Sequence, residues 1–518
     1  MSGLRGIGGS QRLHRATLLF LATGLLHAVP ASAAILIENV RIVDGSGAPA
    51  RKASVLVSGD KITAVGNISA AAGDTVVDGG GLVLAPGFID THSHLDRTMF
   101  TARDVPAAVS QGVTTIIVGQ DGVSPMPVSK LAARLEMEPV AVNVGSYSGH
   151  NDLRRRVMGS ARSHATKAET AAMVRLLDAD MKAGAFGLST GLIYEPGTFS
   201  NSAEVMALAK AAARHGGRYT SHIRNESDRL DEAVEEFLAV GRETGMSIKL
   251  SHIKIALISR WGEAKALLQT LEDARADGID VTADVYPYTY WQTTMGALFP
   301  DKKYDDPVGV AWNFRYTTPP GGLTLTRFLP DPALERRTIA DIAAERGGDP
   351  AEVYVSLMRE AIAYEKAHPD ADKVEAIAGA SMAEADVATF LAWPEANICS
   401  DGTDGGHPRG YGTFTRVLGR YVRETGLLGL EQAVHKMTGL AARHLGLADR
   451  GLVRPGMRAD LVLLDPETVS DRASLADDRA FSSGIAKVWV NGTLVFTNGE
   501  TQSARPGAFL RAQHSTRK

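Results

Sequence analysis

Cysteine is nearly absent: Cys399 stands alone among 518 residues. That rules out an intramolecular disulfide, and it rules out a lipid anchor on a cysteine at the start of a processed chain. An excess of charge of one sign is lacking as well. With 55 basic and 59 acidic residues the formal net charge is -4, and no long single-sign run occurs. The electrostatic footprint of a nucleic-acid binder is therefore missing, and nucleic acid is set aside as a partner. Long apolar runs are confined to residues 16–29. Arg5, Arg12 and Arg15 precede this run and Ala31-Ser32-Ala33 follow it, the pattern of a cleavable export signal cut after Ala33. Broken by Thr23, Gly24 and His27, the run falls short of the ~20 apolar residues that span a bilayer. A periplasmic or secreted protein, with no membrane attachment once residues 1–33 are removed, is the expectation. No G-x-G-x-x-G or P-loop spacing is present to cradle a nucleotide phosphate.

What the sequence does hold is ordinary globular composition, 44% hydrophobic and 22% charged, with a change of texture along its length. Residues 35–84 alternate apolar and polar side chains around Asp44-Gly45-Ser46-Gly47 and Asp78-Gly79-Gly80-Gly81, which reads as several short antiparallel strands. The texture returns in Asp460-Leu-Val-Leu-Leu-Asp465 and in Ala486-Lys-Val-Trp-Val-Asn491-Gly492, the latter entering an Asn-Gly hairpin. One small β-sandwich domain built from both terminal segments, 34–84 and 451–518, is expected. Between them, over 85–450, short apolar strands at 112–118, 138–143, 187–190, 218–221, 247–250 and 280–283 alternate with amphipathic helices at 203–215 and 228–244. Such alternation predicts an α/β fold with a parallel (β/α)8 TIM barrel, an open doubly wound sheet being the competing arrangement. From 291 to 386 the pattern loses regularity around Pro319-Pro320-Gly321-Gly322, and this stretch is expected to elaborate the barrel mouth.

The candidate chemistry lies at predicted strand ends. Phe88-Ile-Asp-Thr-His92-Ser-His94 closes a short strand on two histidines one residue apart. Residues i and i+2 of a strand share a face, so both imidazoles converge on one point, as metal ligands do. Ser221-His222-Ile-Arg224 and Ser251-His252-Ile-Lys254 follow two further predicted strands, and a parallel barrel brings all such ends to one mouth. Asn397-Ile-Cys-Ser-Asp401-Gly402 ends another apolar segment in a carboxylate. From that place Asp401 can take a proton from attacking water and return it to a departing amine; a plain turn aspartate before glycine is the alternative.

Several longer segments carry a resemblance: residues 85–94, Gly184-Ala-Phe-Gly-Leu-Ser-Thr-Gly-Leu-Ile-Tyr194-Glu-Pro-Gly197, Ser221-His222-Ile-Arg224, Asp284-Val-Tyr-Pro-Tyr288, Ser400-Asp401-Gly402, His407-Pro-Arg-Gly-Tyr-Gly-Thr-Phe414 and Gly451-Leu-Val-Arg-Pro-Gly456. Together they resemble the N-acyl-D-amino-acid deacylases (D-aminoacylases) of the amidohydrolase superfamily. The resemblance implies a distorted barrel of the amidohydrolase type and one or two zinc ions, other divalent transition metals being the alternative. It implies hydrolysis of the amide of a small substrate with a free carboxylate, an N-acyl-D-amino acid. A D-dipeptide or a cyclic amide such as a hydantoin or lactam is the runner-up substrate, and a binding protein that has lost its chemistry is the alternative of another class.

By motif, the resemblance makes His92, His94, Asp121, His222, His252 and Asp401 the metal-binding set, with Asp401 the catalytic acid and base. Tyr194, Lys254, Tyr286 and Arg409 resemble residues that hold the substrate carboxylate and acyl group, the basic pair through charge-assisted bonds. His150 in Gly149-His150-Asn-Asp-Leu-Arg154 matches a motif that either touches substrate or orders a loop. One departure stands out. Where the family commonly has Asn-Cys-Gly with a ligating thiolate, this chain has Gln120-Asp121-Gly122. A carboxylate is a harder ligand and can bridge two ions, so Asp121 is expected to replace the thiolate, against the alternative of a solvated turn aspartate. Tyr290-Trp-Gln-Thr-Thr294 is also bulkier than the family's usual stretch and is expected to narrow the pocket.

Overall fold

The computed structural model describes residues 34–371 and 373–513; the expected export signal and its cleavage point lie outside the described residues. Eight parallel strands form the central barrel. In chain order they are Phe88–Asp90, Val113–Val118, Asn143–Ser146 continued by Ser148–Gly149, Gly187–Gly191, Arg218–His222, Ile248–Leu250, Val281–Val285 and Ala396–Ile398. The third strand pairs with the second through its first half and with the fourth through its second half. The ring closes between the first and eighth strands by the parallel bridge Ser93 to Gly402 and by the bonds Asp401 N to His92 O (2.8 Å) and His94 N to Gly402 O (2.9 Å). This closure excludes the open doubly wound sheet, and it sets the two histidines of the first strand beside Asp401 of the last.

The second strand is a β-branched run. Val113-Thr-Thr-Ile-Ile-Val118 is buried at every position, as a strand covered on one side by barrel interior and on the other by helices must be. The outer helices begin and end where their caps direct. Thr166 and Glu169 form a reciprocal capping box ahead of Lys167–Ala183, which stops at left-handed Gly184, and Asn201 accepts from Glu204 N ahead of Ser202–Arg214. One expected strand is displaced. The apolar run 138–143 does not pair; the strand starts at Asn143, and the preceding Val140 instead accepts from Gly507 N (2.9 Å). The C-terminal tail crosses there, and Val140, Ala141 and Val142 are buried in the main core without joining a sheet.

Both ends of the chain build one mixed nine-stranded sheet, five strands from the N-terminal side and four from the C-terminal side. Val83–Pro86 runs antiparallel to Leu461–Leu464 and joins the two halves. Asn491 and Gly492 turn its hairpin with φ of 47° and 77°, the positive values that a type I′ turn requires. Between the seventh and eighth barrel strands, the irregular stretch is a unit with its own core. Three antiparallel strands, Tyr290–Thr293, Glu375–Ala380 and Leu323–Phe328, pack with Pro307–Tyr316, Ile339–Arg346 and Pro350–Ala367 around Phe299, Phe328, Ile339, Tyr354 and Leu357. Among the described residues no helix is long and apolar enough to cross a membrane.

Candidate metal centre

The C-terminal ends of the barrel strands carry the chemistry. His92 and His94 extend from the first strand, Asp121 follows the second, His222 ends the fifth, His252 follows the sixth and Asp401 follows the eighth. Asp121 stands in the middle. Its Oδ1 is 3.4 Å from His92 Nε2 and 3.5 Å from His252 Nε2; its Oδ2 is 3.3 Å from His94 Nε2 and 4.0 Å from His222 Nδ1. Asp401 Oδ1 lies 3.2 Å from His94 Nε2 and 3.5 Å from His92 Nε2. All six expected ligands therefore face one small volume.

The backbone is unusual at the same place. Asp121, His252 and Asp401 have φ of 53°, 37° and 46°, in the left-handed region that costs a side-chain-bearing residue about 1–3 kcal/mol. Such strain is kept where the surroundings fix it, and here it turns three side chains inward. A Cβ on Gly191, the last residue of the fourth strand, would lie 2.1 Å from Asp121 O. Only glycine lets that strand end approach the Asp121 turn so closely.

The electrostatics call for a cation. Burial opposes ionisation of Asp121, but His92 and His252 outweigh it and hold its carboxyl well below the usual range. Burial is likewise overcome at Asp401, by Arg409 and His252. Burial pulls His222 down to about 4 and lowers His92, leaving neutral rings of the kind that ligate. At His252 burial and Lys254 resist protonation, yet Asp401 and Asp121 lift the ring to about 9, so a proton supplies positive charge beside the two carboxylates. Both nitrogens of His92, both of His222 and Asp121 Oδ1 are buried with no hydrogen-bond partner. A polar atom left so costs about 1–3 kcal/mol, and a divalent ion would satisfy His92 Nε2, His222 Nδ1 and Asp121 Oδ1, the atoms that face inward. The residues present fit zinc, which takes imidazole nitrogen and carboxylate oxygen.

Next to the centre, Arg409 Nη1 is 2.7 Å from Asp401 Oδ2, and Nη2 donates to Gln292 O (3.3 Å). Its guanidinium lies over the Tyr286 ring at 4.7 Å. Arg409 Nε and Tyr286 Oη are both buried without a hydrogen-bond partner. Tyr194 sets its ring edge against His222 at 4.8 Å, and its hydroxyl accepts from Thr293 Oγ1 (3.3 Å), so residues 290–293 of the inserted unit border the site. Lys254 Nζ donates to Glu226 Oε1 (2.7 Å) and lies 2.6 Å from His252 Nδ1. His150 is fully buried, with Nε2 2.8 Å from Glu204 Oε1. The helix it opens offers Asn151 N to Gly122 O (2.8 Å), which supports the turn carrying Asp121.

Sequence reasoning missed Glu226 and the pair Lys249 and Asp284. Asp284 accepts from His252 N (2.5 Å), pairs with Lys249 inside the barrel and lies 3.8 Å from His92 Nδ1. A lysine inside the predicted strand 247–250 and an aspartate directly after the predicted strand 280–283 were the available signal, because a charge buried in a barrel needs its opposite. Glu226, four residues past His222, was visible only as a polar loop residue.

A closed parallel barrel whose strand ends gather four imidazoles and two carboxylates defines a metal-dependent hydrolase. Comparison with known proteins narrows the class. The pattern of the amidohydrolase family matches residues 75–312 and 331–496. N-acyl-D-glutamate deacylase of Alcaligenes xylosoxydans xylosoxydans is 38% identical over 93% of this chain and 97% of its own length. D-aminoacylase of the same organism is 36% identical over 89% and 94%. The crystal structure of N-acyl-D-glutamate deacylase from Bordetella bronchiseptica, complexed with zinc and a phosphonate mimic of the tetrahedral intermediate, superposes with a TM-score of 0.83 at 36% identity, over 93% of this chain and all of that one. The chain belongs to the N-acyl-D-amino-acid deacylase branch of the amidohydrolase family. It is an amidohydrolase acting on amide C–N bonds, and its gathered histidines and aspartates form a site that can hold a metal ion.

Proposed function

We propose that this enzyme cleaves N-acyl-D-amino acids to a carboxylate and a free D-amino acid, with Asp401 as general base and then general acid. One observation carries the reading: Arg409, a buried cation with an unpartnered Nε, touches the same carboxylate that faces the histidines. In an N-acyl amino acid only the α-carbon separates the amide nitrogen from a carboxylate. A substrate carboxylate bound by Arg409 Nε and Tyr286 Oη therefore brings the scissile nitrogen next to Asp401.

His92, His94, Asp121, His222, His252 and Asp401 would hold the metal, Asp121 with an oxygen toward each pair of rings. Bound there, zinc polarises the amide carbonyl and acidifies water. Asp401, ionised at neutral pH, accepts the proton of the attacking water. It then delivers that proton to the amide nitrogen as the C–N bond breaks, so nitrogen departs as an amine. Water adds its oxygen to the acyl carbon and its hydrogens to nitrogen and solvent, and no other reactant is consumed. Tyr194, edge-on to His222, borders the acyl side.

A panel of N-acetyl-D-amino acids, their L forms, D-dipeptides and hydantoins tests the reading. Turnover confined to cyclic amides or dipeptides would overturn it. In the same assay Arg409→Met raises KM for the preferred substrate about 10- to 100-fold, the loss of hydrogen bonds between charged groups. An unchanged KM would remove Arg409 from substrate recognition. We also propose that the enzyme works outside the cytoplasm, supported by the Arg-flanked apolar run and Ala31-Ser32-Ala33. N-terminal sequencing of exported protein should begin at Ala34, and an intact Met1 terminus on that material would contradict it.

A further inference from the structure

We infer that Glu226 is a positioning residue that orients two metal-ligating histidines, His222 and His252, with a single carboxylate; the inference rests on the metal centre proposed above. The two rings lie 4.5 Å apart at 72° to each other and face Asp121 through different nitrogens, His222 through Nδ1 (4.0 Å) and His252 through Nε2 (3.5 Å). Their remaining nitrogens point the other way and meet one side chain. His222 Nε2 lies 3.5 Å from Glu226 Oε2, and His252 Nδ1 lies 3.4 Å from Glu226 Oε1.

A neutral imidazole that gives one nitrogen to a metal carries its hydrogen on the other, and that N–H needs an acceptor to fix tautomer and ring angle. His222 Nε2 is buried without a hydrogen-bond partner, and the acceptor it faces is Glu226. Lys254 Nζ, 2.6 Å from His252 Nδ1, turns toward Oε1 alone when that nitrogen carries the hydrogen, and a small inward shift then closes both separations into hydrogen bonds. Each oxygen of the carboxylate then serves one ring. The arrangement explains why the two histidines use opposite nitrogens, since both outer nitrogens must reach the same group.

Glu226 is itself held. Lys254 Nζ sits 2.7 Å from Oε1 and balances its charge, and Ala256 N donates to Glu226 O (2.8 Å), tying the loop after the fifth strand to the loop after the sixth. The side chain is 14% exposed, so most of the carboxylate is already withdrawn from water and its bonds are not exchanged for solvent. Lys254, anchored to Oε1, remains beside the Tyr286 ring at 5.9 Å. Removing Glu226 frees both rings to rotate and leaves the lysine without its counter-ion.

The test is zinc affinity, measured by competition with a coloured chelator on the full chain, alongside zinc content at saturation. Glu226→Gln keeps the shape but cannot accept from both rings and balance Lys254; zinc affinity is expected to fall about 10- to 100-fold, with saturated zinc content and the melting temperature of the zinc-free protein unchanged. Glu226→Ala should fall at least as far, and cobalt-loaded protein should show altered visible bands in both variants. Wild-type affinity in Glu226→Gln would overturn the inference, leaving Glu226 a partner of Lys254 alone. Loss of one zinc equivalent at saturation would overturn it differently, by making Glu226 a ligand. A wild-type chain that takes up no zinc would instead sink the metal-centre reading beneath it.

Discussion

Asp401→Asn lowers kcat about 10³-fold or more while KM stays within a few-fold of wild type and the histidine-held zinc is retained. The substitution preserves size and shape, and the backbone bond from residue 401 N to His92 O (2.8 Å) still fixes the loop. What it removes is the proton acceptor. Amide nitrogen is a poor leaving group unless protonated, so losing the group that carries a proton from water to nitrogen affects the barrier directly. Arg409, whose Nη1 approaches Asp401 Oδ2 at 2.7 Å, still offers Nε to a substrate carboxylate, which is why binding changes little. Steady-state kinetics with zinc analysis on the same sample checks this; unchanged turnover with zinc bound would take the acid and base role away from Asp401.

Asp121→Ala has an effect of similar size through a different route. Asp121 is the one carboxylate that reaches toward all four imidazoles, and its own ionisation is secured by His92 and His252 against the cost of burial. Without it the rings surround an apolar methyl group. Zinc affinity is expected to fall by more than the ~10- to 100-fold that an outer-sphere partner is worth, and activity at limiting zinc falls with it. Asp121→Cys restores zinc binding through a thiolate and shifts preference toward softer ions. Cobalt-loaded Asp121→Cys should gain a sulfur-to-metal band in the near ultraviolet that the wild type lacks. The cysteine pays for its φ near 53° with roughly 1 kcal/mol of stability, because aspartate enters the left-handed region more readily. Full zinc affinity in Asp121→Ala would return Asp121 to the status of a turn residue.

The inserted unit presents Tyr290 to Thr293 along the site: Tyr290 O accepts from His407 Nε2 (3.0 Å), Gln292 O from Arg409 and Thr293 reaches Tyr194. His407 Nδ1 in turn accepts from Arg409 N (3.0 Å). The guanidinium that recognises a carboxylate is thus aligned by a segment lying outside the barrel, between its seventh and eighth strands.

Some of this was legible residue by residue. His92 and His94 were readable as a pair because side chains alternate along a strand, so an i, i+2 spacing fixes their common face before any folding is known. Asp401, His222 and His252 were readable as strand ends because each directly follows a short predicted strand. The shared terminal sheet was readable from the return of the same alternation at both ends. All of these are short-range properties, encoded within a few residues.

Partnerships were not. Val140, Ala141 and Val142 looked like a strand because burial in the main core outside any sheet leaves the same apolar imprint as a paired strand. Nothing in the sequence around Glu226 marked it, and barrel closure, by setting the fifth and sixth strands side by side, joined it to His222, His252 and Lys254. The chain by itself determined which side chains stand at the rim and which way they face. Only the tertiary structure decided which of them meet, because that depends on strand stagger and ring closure, quantities shared among distant segments and written in no single one.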